Sequence, residues 1–341
     1  MNETMFVRMK RLLLLLMLLM SVSVSLFSHS VTRVGDYYKI QHTWKYENEQ
    51  WSCSLNIPVA LYELYRQRTH YGDGCVHYAL SDFDRDYIRN LVQSFREGGR
   101  RNGFSDYQNV LNVIAFVQSL RYVTDIVSKY EENYVRYPIE TLVDGVGDCE
   151  DMAILAASIM HEMGYDVLFV QMPNHLALAI KSSENLYGSY YEYNGSKYYY
   201  LETTDTGWAI GQIPDEFRSN RVQLIPLVYK PKIIVSEYGY NSTSYYATDE
   251  TVNVYMKCIV ENLGPGQTRG LSMRVTLEPF SDSETQYYQR VFKLDELPES
   301  TTKTFEVPCQ LPRPLHGNVK VSFEGSNFEP QVITLKNLRL N

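Results

Sequence analysis

The stretch DGVGDCEDMAILAASIMHEMG (Asp144–Gly164) specifies a helix whose two ends can be read from its side chains. Met152, Leu155, Ala156, Ile159, Met160 and Met163 recur at i, i+3, i+4 and i+7, the spacing of one apolar helix face. Asp148 precedes the run as a natural N-cap, and Gly164 is placed to be the C′ residue. Cys149 therefore opens the helix. Unpaired N–H groups and the positive dipole end favour thiolate over thiol there. Glu150 and Asp151, in the same first turn, oppose a thiolate by like-charge repulsion. A reactive Cys149 thus needs another partner, such as an adjacent imidazolium. A lone cysteine on an Ala-rich helix is more often packing, so the partners decide.

Three strand-like runs follow: DVLFVQM, HLALAIK and, after a tyrosine-rich hairpin, KYYYLETT. Asn194-Gly195 is a two-residue hairpin signal. His175 begins the second run, and a helix packed on a sheet can bring its N-terminus beside a central strand. A catalytic histidine needs an acceptor on its far nitrogen. Glu202, in YLETT, supplies one, with Asp205 as the second candidate past the strand end. The structural alternatives are a satisfied core histidine and a Glu202 paired with Lys197 or Arg218. The tyrosines of the hairpin fit ordinary strand packing better than a substrate groove.

Upstream, Ile40, His42 and Trp44, then Trp51, Cys53, Leu55 and Ile57, alternate as one or two strands. VALYELYRQR reads as a short helix. Another helix starts at Ser81 or Asp82 and stops at Gly98-Gly99, and a third is capped by Ser105. Downstream, a linker is expected around Pro226 to Pro231. Beyond it TVNVYMKCIVENLGPG, GLSMRVTLEPF, TKTFEVPCQL and GNVKVSFEG read as short strands of an all-β sandwich. The expected division is a leader at 1–30, an α+β domain at 31–225 with its core near 105–215, and a sandwich at 226–341.

The 341 residues carry 32 Lys+Arg against 40 Asp+Glu, with no basic block, which argues against nucleic acid as a partner. No nucleotide, flavin or metal motif is evident, so no cofactor is expected. Tyrosine is abundant, at 29 residues, and suits half-buried strands. The N-terminus joins a basic MKR (Met9–Arg11) to LLLLLMLLM and SVSVSLFSHS, with signal-peptidase sites after Ser25 or Ser30. Left uncleaved, Leu12 to Phe27 would form an anchor just short of the ~20 residues that span a bilayer. Either way the working chain lies outside the cytoplasm. There, Cys53 with Cys75 and Cys258 with Cys309 are the expected disulfides, leaving Cys149 as the free thiol. In the alternative none pair and all five are buried small hydrophobes. A zinc site from Cys53, His70, Cys75 and His77 lacks a paired-ligand spacing on the Cys53 side.

YPIETLVDGVGDCEDMAILAASIMHEMGYDVLFVQMPNHLALAI, followed by YYYLETTDTGWAIGQIP, resembles the transglutaminase-like superfamily of thiol enzymes. The correspondence runs from about Phe116 to Pro214, and HTWKYENEQWSCSLNIP before it resembles the N-terminal extension of a secreted or membrane-linked microbial branch. The resemblance implies a papain-like α+β core with a helix packed on an antiparallel sheet. It assigns Cys149 as nucleophile, His175 as general base and acid, and Glu202 as the imidazole orienter, where the family commonly has Asp. Gln118 could donate to an oxyanion hole. The implied activity is acyl transfer or hydrolysis at a peptide or carboxamide bond, on a protein or peptide substrate. The same fold also serves as a non-catalytic binding scaffold. CIVENLGPGQTRGLSMRVTLEP is similar to bacterial Ig-like adhesion-type modules, which implies fold rather than function; a cell-envelope partner through the C-terminal domain is a separate expectation.

Overall fold

The computed structural model describes residues 28–70, 74–130, 134–182, 184–204, 206–243, 251–280, 288–312 and 315–340. Most of the leader expected at 1–30 lies outside them, as does Asp205. The described chain begins with β1 (Ser28–Val34), β2 (Tyr37–Tyr46) and β3 (Glu49–Pro58), one antiparallel sheet in that order. Alternation turns Ile40, His42 and Trp44 of β2 and Cys53, Leu55 and Ile57 of β3 inward, as their spacing predicts. The additional strand is β1, which takes up the last residues of the expected leader, so cleavage after Ser30 would cut into it.

Next come α1 (Val59–Arg66), α2 (Cys75–Ala79), α3 (Arg85–Asn102) and α4 (Asp106–Gln118). Helix α3 does not stop at Gly98-Gly99 as expected; it runs on to Gly103. The glycines serve close approach instead. The Trp51 ring lies on Gly98 and the Asn109 side chain on Gly99, where neither leaves room for a Cβ. Helix α4 starts where the sequence places it, with a reciprocal capping box between Ser105 and Gln108.

The chain then forms β4 (Arg121–Tyr122), α5 (Asp125–Lys129), α6 (Pro138–Asp144), β5 (Val146–Gly147) and α7 (Cys149–Glu162). Strands β4 and β5 pair in parallel, with Tyr122 opposite Gly147. Helix α7 is buried from Asp151 to Met160. It packs against α3, α4 and a five-stranded sheet. Each of its fully buried Ile154, Leu155 and Ile159 stabilises the fold by on the order of 2 kcal/mol.

That sheet contains β6 (Val167–Met172), β7 (His175–Lys181), β8 (Tyr190–Tyr193), β9 (Ser196–Leu201) and β10 (Gln223–Pro226), in the order β10-β6-β7-β9-β8. Asn194 and Gly195 turn the β8–β9 hairpin, both at positive φ. Strand β7 is central and buried on both faces. Leu176, Leu178 and Ile180 join the core around α7, while Ala177 and Ala179 join a second cluster with Leu168, Val170 and Tyr200. Strand β10 is an edge strand paired with β6 and ends at Pro226, where the linker is expected to begin.

The C-terminal part is built from β11 (Ile233–Thr243), β12 (Thr251–Asn262), β13 (Ser272–Pro279), β14 (Tyr288–Lys293), β15 (Thr301–Pro312), β16 (Leu315–Glu324) and β17 (Gln331–Leu340). They form two antiparallel sheets, β11-β12-β15 and β14-β13-β16-β17, across one shared core. Glu299 ties this part to the first domain, accepting from the Asp82 N–H at 2.8 Å.

The expected disulfides are not formed: all five cysteines are free thiols. Register explains the second pair. Cys258 lies opposite Phe305 and Cys309 opposite Val254, an offset of four residues or roughly 13 Å along the ladder. A bridge needs Cα atoms about 4.4–6.8 Å apart. Cys53, Cys75, Cys258 and Cys309 are instead buried apolar side chains, the alternative reading. Of the residues weighed for zinc, His70 turns both ring nitrogens to backbone carbonyls, Val135 O at 2.6 Å and Tyr65 O at 3.0 Å.

Candidate active site

Cys149 is the first residue of α7 and half-buried. Its place is fixed by the preceding four residues. Gly145 ends α6 at positive φ, and the 146–147 bridge to β4 sets the direction of entry. Gly147 must lack a side chain, because a Cβ there would lie 2.6 Å from the Asp151 Cβ. Asp148 then caps the helix, accepting from Glu150 N at 3.1 Å and Asp151 N at 3.5 Å. The N-cap and the first helical residue are where the sequence predicts them.

His175 follows a two-residue turn, Pro173-Asn174, with Asn174 at φ 58. It is buried, and the plane of Phe217 stacks on its ring at 4.2 Å between centroids and 7°. The next residue's amide, Leu176 N–H, hydrogen-bonds the Cys149 thiol. The nucleophile candidate thus rests against the peptide unit that carries His175. Sequence reasoning gave no hint of Phe217, which belongs to a short 3₁₀ turn (Asp215–Phe217) after Glu202.

Glu202 lies one residue past β9. The β7–β9 register puts it opposite Ala177, so its relation to His175 is diagonal across one sheet face. A diagonal pair is farther apart than a direct one, and the extra methylene of Glu over Asp suits it. His175 Nε2 donates to Glu202 Oε2 at 3.2 Å, and the Tyr200 hydroxyl donates to the same oxygen at 2.7 Å. Oε1 accepts from Thr203 N and Thr204 N at 3.0 Å and from Thr204 Oγ1 at 2.7 Å. Burial alone would raise this carboxyl, but the bonds from His175 and Tyr200 hold it down at about 2. Donation from Nε2 leaves Nδ1 as the proton acceptor of a neutral ring. Tyr200 and Thr204 were legible only as neighbours of Glu202 in the YYYLETT run.

The electrostatics of Cys149 differ from the simple dipole expectation. Burial pushes its thiol up to about 12; the Leu176 N–H lowers it, and Asp148 and Glu150 raise it. Burial, more than the carboxylates that the sequence set against the dipole, decides the balance, and the resting group is a thiol. Glu150 itself is pushed up to about 7 by burial and then by Asp148 and Asp125. Tyr122, half-exposed on β4, is pushed up to about 12 by burial and then by Cys149 and Asp148. Gln118, considered for an oxyanion hole, donates its amide to the Glu202 carbonyl at 3.1 Å.

Asp125, Asp148 and Asp151 bring carboxylate oxygens within 4.8 Å of one another. The cation among them is the Arg136 guanidinium, which donates to Asp125 at 2.9 Å and to Asp151. A cavity of about 680 Å³, lined by Arg89, Arg96 and Arg100, lies at the opposite end of α7 beside Glu162 and Met163. That is roughly 20 Å of helix away from the thiol.

The arrangement supplies a thiol, an imidazole, and an ionised carboxylate anchoring that imidazole by Nε2. No curated protein matches the chain. Residues 98–213 match a family model described as a transglutaminase-like domain, and that span holds Cys149, His175 and Glu202.

Proposed function

We propose that the protein is a thiol enzyme performing acyl transfer or hydrolysis at peptide or carboxamide bonds, through Cys149, His175 and Glu202. One observation carries the reading: Glu202, ionised and saturated with donors, holds Nε2 of an imidazole whose peptide unit contacts the Cys149 thiol. The thiol is protonated at rest, so attack starts with proton transfer from Cys149 Sγ to His175 Nδ1. Glu202 stabilises the resulting imidazolium. Sγ adds to the carbonyl carbon, and the oxyanion meets the Cys149 N–H, a first-turn amide that Asp148 does not engage. Such a donor contributes about 3 kcal/mol. The C–N bond breaks as Nδ1–H protonates the departing amine, leaving an acyl-thioester. His175 then deprotonates the acceptor, and collapse onto carbon releases Cys149. Water as acceptor gives hydrolysis, and an amine gives cross-linking.

The core is proposed to be papain-like and the C-terminal sandwich Ig-like and adhesion-type, offering a surface to a cell-envelope partner. Placement outside the cytoplasm rests on the leader-like residues near 9–30, since the cysteines are unbridged. A second reading is a catalytically silent scaffold, favoured by the burial that keeps Cys149 protonated.

The two are separated by iodoacetamide labelling of the native chain at neutral pH, with peptide mass spectrometry to locate the label. An enzyme labels at Cys149, and His175→Ala slows the reaction by about 10²–10⁴-fold, the contribution of a general base. Labelling that is equal in His175→Ala, or seen only in denaturant, would leave the scaffold.

A further inference from the structure

Arg136 is a charged side chain with no exposure, in a segment between α5 and α6 that the mechanism above does not use. Its guanidinium gathers three acidic groups from three elements. Nη1 donates to Asp125 Oδ1 at 2.9 Å on α5 and to Asp151 Oδ2 in the first turn of α7. Nε donates to Asp144 Oδ2 at 3.3 Å at the end of α6. Nη2 donates to Ser128 Oγ at 2.6 Å, and the Arg136 backbone N–H donates to Asp151 Oδ1 at 2.7 Å. Asp151 in turn accepts the Asp148 N–H at 3.2 Å. A continuous chain of hydrogen bonds therefore runs from Arg136 through Asp151 to Asp148, the residue before Cys149.

We propose that Arg136 is a positioning residue for the Cys149 nucleophile, fixing the first turn of α7 and supplying the positive charge that lets a thiolate form among carboxylates. The inference rests on the thiol-enzyme reading of the site. Its electrostatic part follows from what faces Cys149. Asp148 and Glu150 flank it, Asp151 lies in the same first turn with Asp125 beside Asp148 and Asp151, and Tyr122 approaches from β4. Asp144 is already shared with Lys129 at 2.8 Å and with the Tyr62 hydroxyl at 2.6 Å. Arg136 alone among these described groups sets a permanent positive charge beside Asp125 and Asp151. A planar fork with five donors can serve all three carboxylates at once, whereas an ammonium cannot. Removing the fork leaves buried carboxylates uncompensated, which opposes a new negative charge on sulfur.

The experiment is the pH dependence of iodoacetamide labelling of Cys149 in the full-length chain, with Arg136→Met, Arg136→Lys and Asp125→Asn. Arg136→Met is expected to move the labelling midpoint up by about one pH unit, a tenfold slower reaction below it. Asp125→Asn removes a negative charge and is expected to move the midpoint down, a direction that loss of packing would not produce. Arg136→Lys keeps the charge, so its midpoint stays near the parent's while its limiting rate falls several-fold. Should Arg136→Met fail to fold, as judged by near-ultraviolet circular dichroism, the other two variants decide. Unchanged midpoints in folded variants with a reactive parent would overturn the role of Arg136 and leave the thiol-enzyme reading standing. An inert Cys149 in the parent chain would overturn both.

Discussion

Replacing Glu202 by Gln separates the orienting role of this residue from its shape. The carboxylate accepts five hydrogen bonds, from His175, Tyr200, Thr203 N, Thr204 N and Thr204 Oγ1. Gln keeps one oxygen, which Thr203 and Thr204 retain. Its amide NH₂ then faces Tyr200 and His175 Nε2, both of which donate in the native site. Tyr200 can rotate its hydroxyl and accept, but His175 can accept at Nε2 only by moving its proton to Nδ1. That is the wrong tautomer, because Nδ1 must receive the thiol proton. A comparable tautomer error in a serine protease costs about 10⁴ in kcat, so labelling of Cys149 is expected to fall by about 10³–10⁴-fold at pH 7. Stability falls too. Glu202 is held at about 2 against an ordinary 4.5, which at 1.36 kcal/mol per unit contributes about 3 kcal/mol. The contribution is complete above about pH 4.5 and disappears as pH falls toward 2. The stability gap between parent and Glu202→Gln should therefore be widest at neutral pH and close in acid. Urea unfolding across that range measures the gap, and iodoacetamide labelling measures the site. A variant labelled within a few-fold of the parent, or a gap independent of pH, would refute the argument.

Two further outcomes follow from packing. Gly98→Ala should gain about 1 kcal/mol of helix propensity yet destabilise the protein overall. The added methyl meets the Trp51 ring, and overpacking costs about 1–3 kcal/mol; a raised Tm would contradict the fit described here. Reductant should leave Tm unchanged, since the cysteines are unbridged; a fall of several degrees would reveal a disulfide, whose loss typically costs about 2–5 kcal/mol.

What was legible in the sequence is what local chemistry decides. Asp148 as N-cap, Cys149 as first helical residue and Gly164 past the end follow from spacing and capping alone, and the structure has them there. The strand periodicity likewise placed His175 at the start of a strand. What failed depends on residues far away in the chain. Gly98-Gly99 looked like a stop because the Trp51 ring that fills the space above it comes from β3. The Cys258–Cys309 pair looked bridgeable because register is invisible before strands are aligned. The four residues of β10 contain a proline and carry no alternation of their own, so only their pairing with β6 defines them. Arg136 escaped notice because a charged residue reads as surface until its three acidic partners converge on it.

Strand β10 gives the two halves of the molecule a mechanical relation. The C-terminal sheets begin at Ile233, seven residues beyond the last residue of β10, and β10 is hydrogen-bonded to β6 along Leu168 to Gln171. Strand β6 leads directly into the Pro173-Asn174 turn that aims His175. A pull on the C-terminal sandwich is thus loaded onto an edge strand one strand removed from the histidine. Peeling β10 away would leave β6, the neighbour of the strand that carries His175, as the edge of the sheet.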